Sequence, residues 1–131
     1  MLIFIADDSD QMRERLTTLL SEIEGAEVVG QARNAAEAIE GVRSLNPDLV
    51  ILDIQMPGGN GIDVLKTIKQ DAGRPLVMML TNHVYPQYRE KCMELGADFF
   101  LDKSKDLERL AAICAGLVRQ YGPTARPSAD A

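Results

Sequence analysis

Five short apolar runs punctuate the chain: Leu2–Ala6, Glu27–Ala32, Leu49–Leu52, Leu76–Leu80 and Phe99–Leu101. Four of them are apolar without alternation, the pattern of strands covered on both faces of a parallel sheet. The second, EVVGQA, holds fewer apolar residues and a glycine, which predicts an edge position. Between the runs the spacing turns helical. Met12, Leu16, Leu19, Leu20 and Ile23 recur at helical intervals behind Ser9, an available N-cap. Asn34, with Glu37 three residues later, resembles a capping box ahead of Ala38, Ile39, Val42 and Leu45. Ile62, Leu65 and Ile68 form a third stripe, ended by Gly73. Pro86 suits the first turn of a fourth helix, with Tyr88, Cys92 and Leu95 inward and Gly96 as its stop. Ser104 is placed to cap a fifth, in which Leu107, Leu110, Cys114, Leu117, Val118 and Tyr121 share one face.

Strand and helix thus alternate five times. Parallel neighbours need right-handed helical crossovers, so this order predicts one doubly wound α/β domain over residues 1–121, a five-stranded parallel sheet with helices on both faces. There is no internal repeat. From Gly122 the segment GPTARPSADA is small, polar and proline-containing, which predicts a disordered tail or linker over 122–131.

Composition narrows the picture. A chain of 131 residues is one domain's worth and buries roughly two-thirds of its surface on folding, so the core needs no disulfide or metal. With 14 basic against 20 acidic residues the net charge is −6. An acidic body repels phosphate backbones and argues against direct binding of nucleic acid or an anionic membrane. No apolar run approaches the roughly 20 residues of a membrane span, and the N-terminus lacks the basic region of a signal peptide. Cys92 and Cys114 fall at inward positions of helical stretches, so they read as buried reduced thiols of a cytoplasmic protein.

Candidate chemistry comes from where the strands end. Ligands of an open parallel sheet bind beyond the carboxyl ends of its strands, where strand order reverses. The first run ends in Asp7 and Asp8, the third in Asp53, the fourth in Thr81 and the fifth in Lys103. Two carboxylates about 4 to 5 Å apart repel by about 3 to 4 kcal/mol at an effective dielectric near 20. Three of them beside one lysine stay ionised only if a cation joins them. A site of few carboxylates completed by water favours Mg²⁺ over Ca²⁺, which prefers six to eight oxygens. The remaining coordination positions suit phosphoryl oxygens, for which Lys103 supplies a charge and Thr81 a donor. Asp53 precedes the loop IQMPGGNG, which leaves it accessible, and carboxylates act as acceptors in covalent phosphoryl chemistry. Asp53 is therefore the expected acceptor, with Asp7 and Asp8 holding the metal.

ADDSDQMR, LVILDIQMPGGNG, LVMMLTN and FFLDKS, taken in this order, resemble the four motifs of the receiver domain of two-component response regulators, and the similarity spans residues 1 to about 121. The resemblance implies a flavodoxin-like strand order of 2-1-3-4-5. It implies a sensor histidine kinase or histidine phosphotransfer protein that donates a phosphoryl group to Asp53, with Mg²⁺ held by Asp8, Asp53 and the backbone carbonyl of Gln55, and by Asp7 partly through water. Lys103 would contact the phosphoryl group. Thr81 would swing toward it and let the switch aromatic Phe100 turn inward, reshaping the face of the fourth helix, fifth strand and fifth helix for a downstream protein or a second copy of the chain. Such a protein is a signalling switch and not an enzyme acting on other substrates.

Three departures stand out. Asn82 follows Thr81 where the family usually has a small residue, and the bulkier side chain is expected to restrict access to Asp53 and slow both phosphorylation and hydrolysis. Ser104 follows Lys103 where the family usually has a cis proline, so that bond is either a strained cis bond or a trans bond in a differently shaped loop. Phe100 replaces the usual tyrosine. Gln55 and His83, the sole histidine, are expected to modulate the site. A flavodoxin-like cofactor carrier needs a phosphate loop after the first strand, where DDSDQM is acidic. A phosphatase of the haloacid dehalogenase type needs Asp at position 55. The remaining alternative is the receiver fragment of a larger transcriptional regulator.

Overall fold

In the computed structural model, which describes residues 1–71 and 74–121, all five runs are strands. β1 (Leu2–Ala6), β2 (Glu27–Ala32), β3 (Leu49–Leu52), β6 (Leu76–Thr81) and β7 (Phe99–Asp102) make one parallel sheet in the order β2-β1-β3-β6-β7. The loop IQMPGGNG after β3 contains a short two-stranded antiparallel hairpin, β4 (Gln55–Met56) and β5 (Gly59–Asn60), which its sequence did not predict. With that hairpin set aside, the order is the expected 2-1-3-4-5, and β2 is at an edge. The helices are α1 (Asp10–Ser21), α2 (Ala35–Leu45), α3 (Gly61–Gln70), α4 (Pro86–Glu94) and α5 (Leu107–Tyr121). Gly73, the predicted tail 122–131 and the side chain of Tyr121 lie outside the described residues.

The unbroken apolar runs are explained by two cores, one on each face. Phe4, Ala6, Val50, Leu52, Val77, Met79 and Phe100 point to one side, against α2, α3 and Cys92 of α4. Ile3, Ile5, Leu49, Ile51, Met78, Leu80 and Leu101 point to the other, against Leu16 and Leu20 of α1 and Leu110, Cys114 and Leu117 of α5. Successive side chains alternate between faces, and both faces are covered, so both sets must be apolar. The two free cysteines sit buried in opposite cores.

The caps largely follow the local chemistry. Ser9 Oγ accepts from Met12 N–H at 3.1 Å. Asn34 Oδ1 accepts from Glu37 N–H at 2.8 Å, while Glu37 reaches back to Arg33 N–H at 3.1 Å, one residue earlier than a capping box requires. Gly96 leaves α4 at φ 101°, where glycine has no Cβ penalty. Ser104 does not cap α5. That helix starts at Leu107, and Leu110 N–H bonds to Asp106 O at 2.8 Å. Ser104 instead donates its N–H (2.8 Å) and hydroxyl (2.7 Å) to Asp102 Oδ1. The closer carboxylate two residues back wins the hydroxyl in a tight local turn. Among the described residues no helix is long and apolar enough to cross a membrane.

Candidate functional site

The sheet register brings the predicted strand ends to one edge. Ala6 pairs with Leu52, Leu52 with Met79, and Thr81 with Asp102, so the residues that follow these pairs emerge side by side. Asp7 is 2% exposed and Asp53 5% exposed, both carried just past apolar strands. Lys103, just past β7, sets its Nζ 2.6 Å from Asp7 Oδ2 and 2.7 Å from Asp53 Oδ2. The other Asp7 oxygen accepts from Ser9 N–H at 2.8 Å, and the other Asp53 oxygen from Ile54 N–H at 2.7 Å. One oxygen from each of Asp7, Asp8 and Asp53 lies within 4.8 Å of the others. Asp8 is the exposed member, and its carboxylate has no hydrogen bond or ion pair among the described residues.

The charges answer one another. Burial raises the Asp7 carboxyl above the usual range, against the opposing pull of the bonds from Lys103 and Ser9 N–H. Burial pulls Lys103 down, yet its bonds to Asp53 and Asp7 and their charges outweigh this and hold it above the ordinary lysine value. Lys103 is thus a firmly protonated bridge between two buried acids. The donor set, all hard carboxylate oxygens with Asp8 free to take a ligand, fits a divalent cation of the Mg²⁺ kind. Gln55 is exposed at the start of β4 and, with Asp8, Met56, Pro57, Gly59 and Asn60, lines an open cavity of about 360 Å³.

Thr81 ends β6 fully buried, and its Oγ1 accepts from His83 N–H at 3.0 Å. The hydroxyl's own proton has no acceptor among the described residues, an unsatisfied donor of the kind that buried sites rarely leave idle. The Thr81 carbonyl accepts from Lys103 N–H at 3.0 Å, tying the two strand ends together. Asn82 is exposed and His83 half-buried, its ring centroid 6.3 Å from that of Tyr85. Phe100 is 8% exposed, packed into the core beneath α4, with the Arg89 guanidinium 5.8 Å from its ring centroid. All described peptide bonds are trans, Lys103–Ser104 included.

Two participants escaped the sequence reading. Arg13, in the second turn of α1, donates from Nη1 to the Asp7 carbonyl at 2.5 Å and pairs through Nη2 with Asp10. Lys103 is therefore not the sole cation at this edge. A charged residue between the apolar positions of an amphipathic helix reads as solvated, and the pattern gave no sign that this one turns back over the strand end. The second is Gly61, the first residue of α3. A Cβ there would lie 1.8 Å from the Asp53 carbonyl oxygen, and its N–H donates to Ile54 O at 2.5 Å. The helix start is pressed directly on the backbone that carries Asp53.

Comparison with known proteins agrees with this geometry. Residues 3–115 match the family described as the response regulator receiver domain. An uncharacterized response regulatory protein of Vibrio cholerae is 40% identical over 131 residues, covering 96% of this chain, and the match spans 54% of that protein's length. The response regulator domain of Thermotoga maritima CheB superposes with a TM-score of 0.79 at 29% identity, covering 92% of this chain and 94% of that one. A chain of the CheX–CheY–BeF3–Mg²⁺ complex of Borrelia burgdorferi gives 0.76 at 28% identity, covering 87% and 89%.

Proposed function

Since the chain belongs to the response regulator receiver domain family, we propose that it accepts a phosphoryl group on Asp53 from a sensor histidine kinase or a histidine phosphotransfer protein, and relays the change through protein contacts. The observation that carries this reading is the Lys103 ammonium held 2.7 Å from Asp53 and 2.6 Å from Asp7, with the carboxylates of Asp7, Asp8 and Asp53 converging beside it. A receiver relative whose complex includes BeF3 and Mg²⁺ supports the same assignment.

Asp8, Asp53 and the Gln55 carbonyl would hold Mg²⁺, with Asp7 acting partly through water. When bound, the ion neutralises charge on the transferring phosphoryl oxygens. A carboxylate oxygen of Asp53 attacks phosphorus, the P–N bond of the donor phosphohistidine breaks, and the imidazole nitrogen keeps the electron pair and takes a proton. Lys103 then balances the new negative charge, and the Thr81 hydroxyl donates its idle proton to a phosphoryl oxygen. Thr81 pairs with Asp102 of β7, so its swing toward the phosphoryl group is coupled to Phe100. The expected inward turn of that ring ends in the buried position it already has here, and phosphorylation favours that position over an outward one. The face of α4, β7 and α5 changes with it and meets a downstream protein or a second copy of the chain. His83 and Asn82, next to Thr81, and Gln55, at the cavity, tune the rates. The domain, taken as residues 1–121, catalyses only its own phosphoryl gain and loss, and works in the cytoplasm.

The chain spans about half the length of the curated Vibrio relative it matches. That supports a second reading in which the same switch is the receiver portion of a longer transcriptional regulator and the remainder carries the output.

Incubation with acetyl phosphate and Mg²⁺ followed by intact mass measurement tests the proposal. One phosphoryl adduct is expected on the wild type and none on Asp53→Asn; an unmodified wild type overturns the assignment.

A further inference from the structure

Resting on that reading of the site, we infer that Arg13 is a positioning residue: its guanidinium fixes the peptide joining Asp7 to Asp8 and so aims the Asp8 carboxylate at Asp53. Every polar group of Asp7 is engaged. Its N–H donates to Ala32 O at 3.0 Å, one carboxylate oxygen accepts from Ser9 N–H at 2.8 Å, and the other meets Lys103 at 2.6 Å. Its carbonyl accepts from Arg13 Nη1 at 2.5 Å. Asp8 is the opposite case. No partner holds its side chain among the described residues, yet one of its oxygens converges with those of Asp7 and Asp53. Only the backbone can place it there, and the plane of the Asp7–Asp8 peptide is the part that Arg13 grips.

The grip is built for direction. A guanidinium is a rigid planar fork, and here one tine takes the Asp7 carbonyl while the other takes Asp10. The Arg13 side chain is 13% exposed and that of Asp10 86%, so the bond to the site is shielded and its anchor lies at the surface.

Charge and geometry act on a bound cation with opposite sign. As a charge, Arg13 repels Mg²⁺; as a positioning group, it favours Mg²⁺ by preforming the ligand set. Calorimetric titration of the whole chain with MgCl₂ separates the two. Loss of an outer partner of a metal site typically weakens binding by 10 to 100-fold, so Arg13→Ala should bind Mg²⁺ about tenfold more weakly than wild type. Arg13→Lys keeps the charge without the fork and should fall between. At saturating Mg²⁺ both variants should approach the wild-type rate of labelling by acetyl phosphate, since a positioning role is made good once the ion is bound; a deficit that persists at saturation overturns the inference. Wild-type or tighter binding by Arg13→Ala overturns the inference. Where that variant is unfolded by its thermal melt, wild-type binding by Arg13→Lys overturns it instead. Asp8→Asn is the control: if it and the wild type both fail to bind Mg²⁺, the reading of the site falls too. Weak binding by Asp8→Asn beside unaffected Arg13 variants removes only this inference.

Discussion

Gly61 and Asp53 touch through their backbones: a Cβ on Gly61 would stand 1.8 Å from the Asp53 carbonyl oxygen, and its N–H already bonds Ile54 O at 2.5 Å. A methyl group at this place has nowhere to go except by moving the strand end or the helix. Overpacking of this kind costs about 1 to 3 kcal/mol. Gly61→Ala should therefore lower the unfolding free energy measured in urea by that amount and slow acetyl phosphate labelling of Asp53. A variant with wild-type stability and rate would show that the contact relaxes freely.

Lys103 is the bridge between two buried acids, and removing it leaves both without their cation. Breaking a buried pair from one side costs about 3 to 5 kcal/mol. Lys103→Met should be destabilised at neutral pH by about that much, in chemical denaturation. The deficit should shrink as pH falls through the raised Asp7 value, because a protonated Asp7 needs no cation. A deficit independent of pH would contradict this account.

Alkaline pH should weaken the fold in a definite window. Burial pushes Cys92 up to about 11 and Cys114 up to about 12, from 9.0 in the unfolded chain. Between those limits the unfolded chain has lost thiol protons that the native protein keeps, so ionisation favours unfolding. The stabilisation is complete below pH 9 and is lost as pH rises toward 11 and 12. Lys103, held above its ordinary value, adds a loss of the same sign above pH 10.5. Thermal midpoints measured from pH 9 upward should fall. At pH 8 iodoacetamide should label the native thiols far more slowly than the same thiols in urea, and equal rates would sink the argument.

Asn82 is exposed next to Thr81, and a side chain bulkier than the family's usual small residue there is expected to narrow access to Asp53. Asn82→Ala should accelerate both labelling by acetyl phosphate and loss of the phosphoryl group, up to the tenfold that about 1.4 kcal/mol of relieved barrier supplies. Acceleration of only one of the two would point to an effect other than access.

The apolar runs, the strand-helix alternation and the caps at Ser9 and Asn34 were legible because each depends on neighbours a few residues away. Periodicity and short-range hydrogen bonds are local, so they are written locally. The strand ends were legible for a related reason: a polar residue that closes a buried strand must emerge at the carboxyl edge of the sheet, which gathered Asp7, Asp8, Asp53, Thr81 and Lys103 by topology alone. Ser104 was misread where two local choices competed, since Asp102 offered its hydroxyl a nearer acceptor than the first turn of α5.

Sequence by itself, then, determined a doubly wound sheet with acidic residues and one lysine along a single edge. Only the tertiary structure decided that Lys103 reaches across 50 residues of chain to Asp53 and binds Asp7 as well, that Arg13 grips the carbonyl behind Asp8, and that Gly61 seats on the backbone of Asp53. Those contacts depend on how far apart two strands sit and how closely a helix approaches them. These distances are set by the packing of both cores, to which residues from the whole domain contribute.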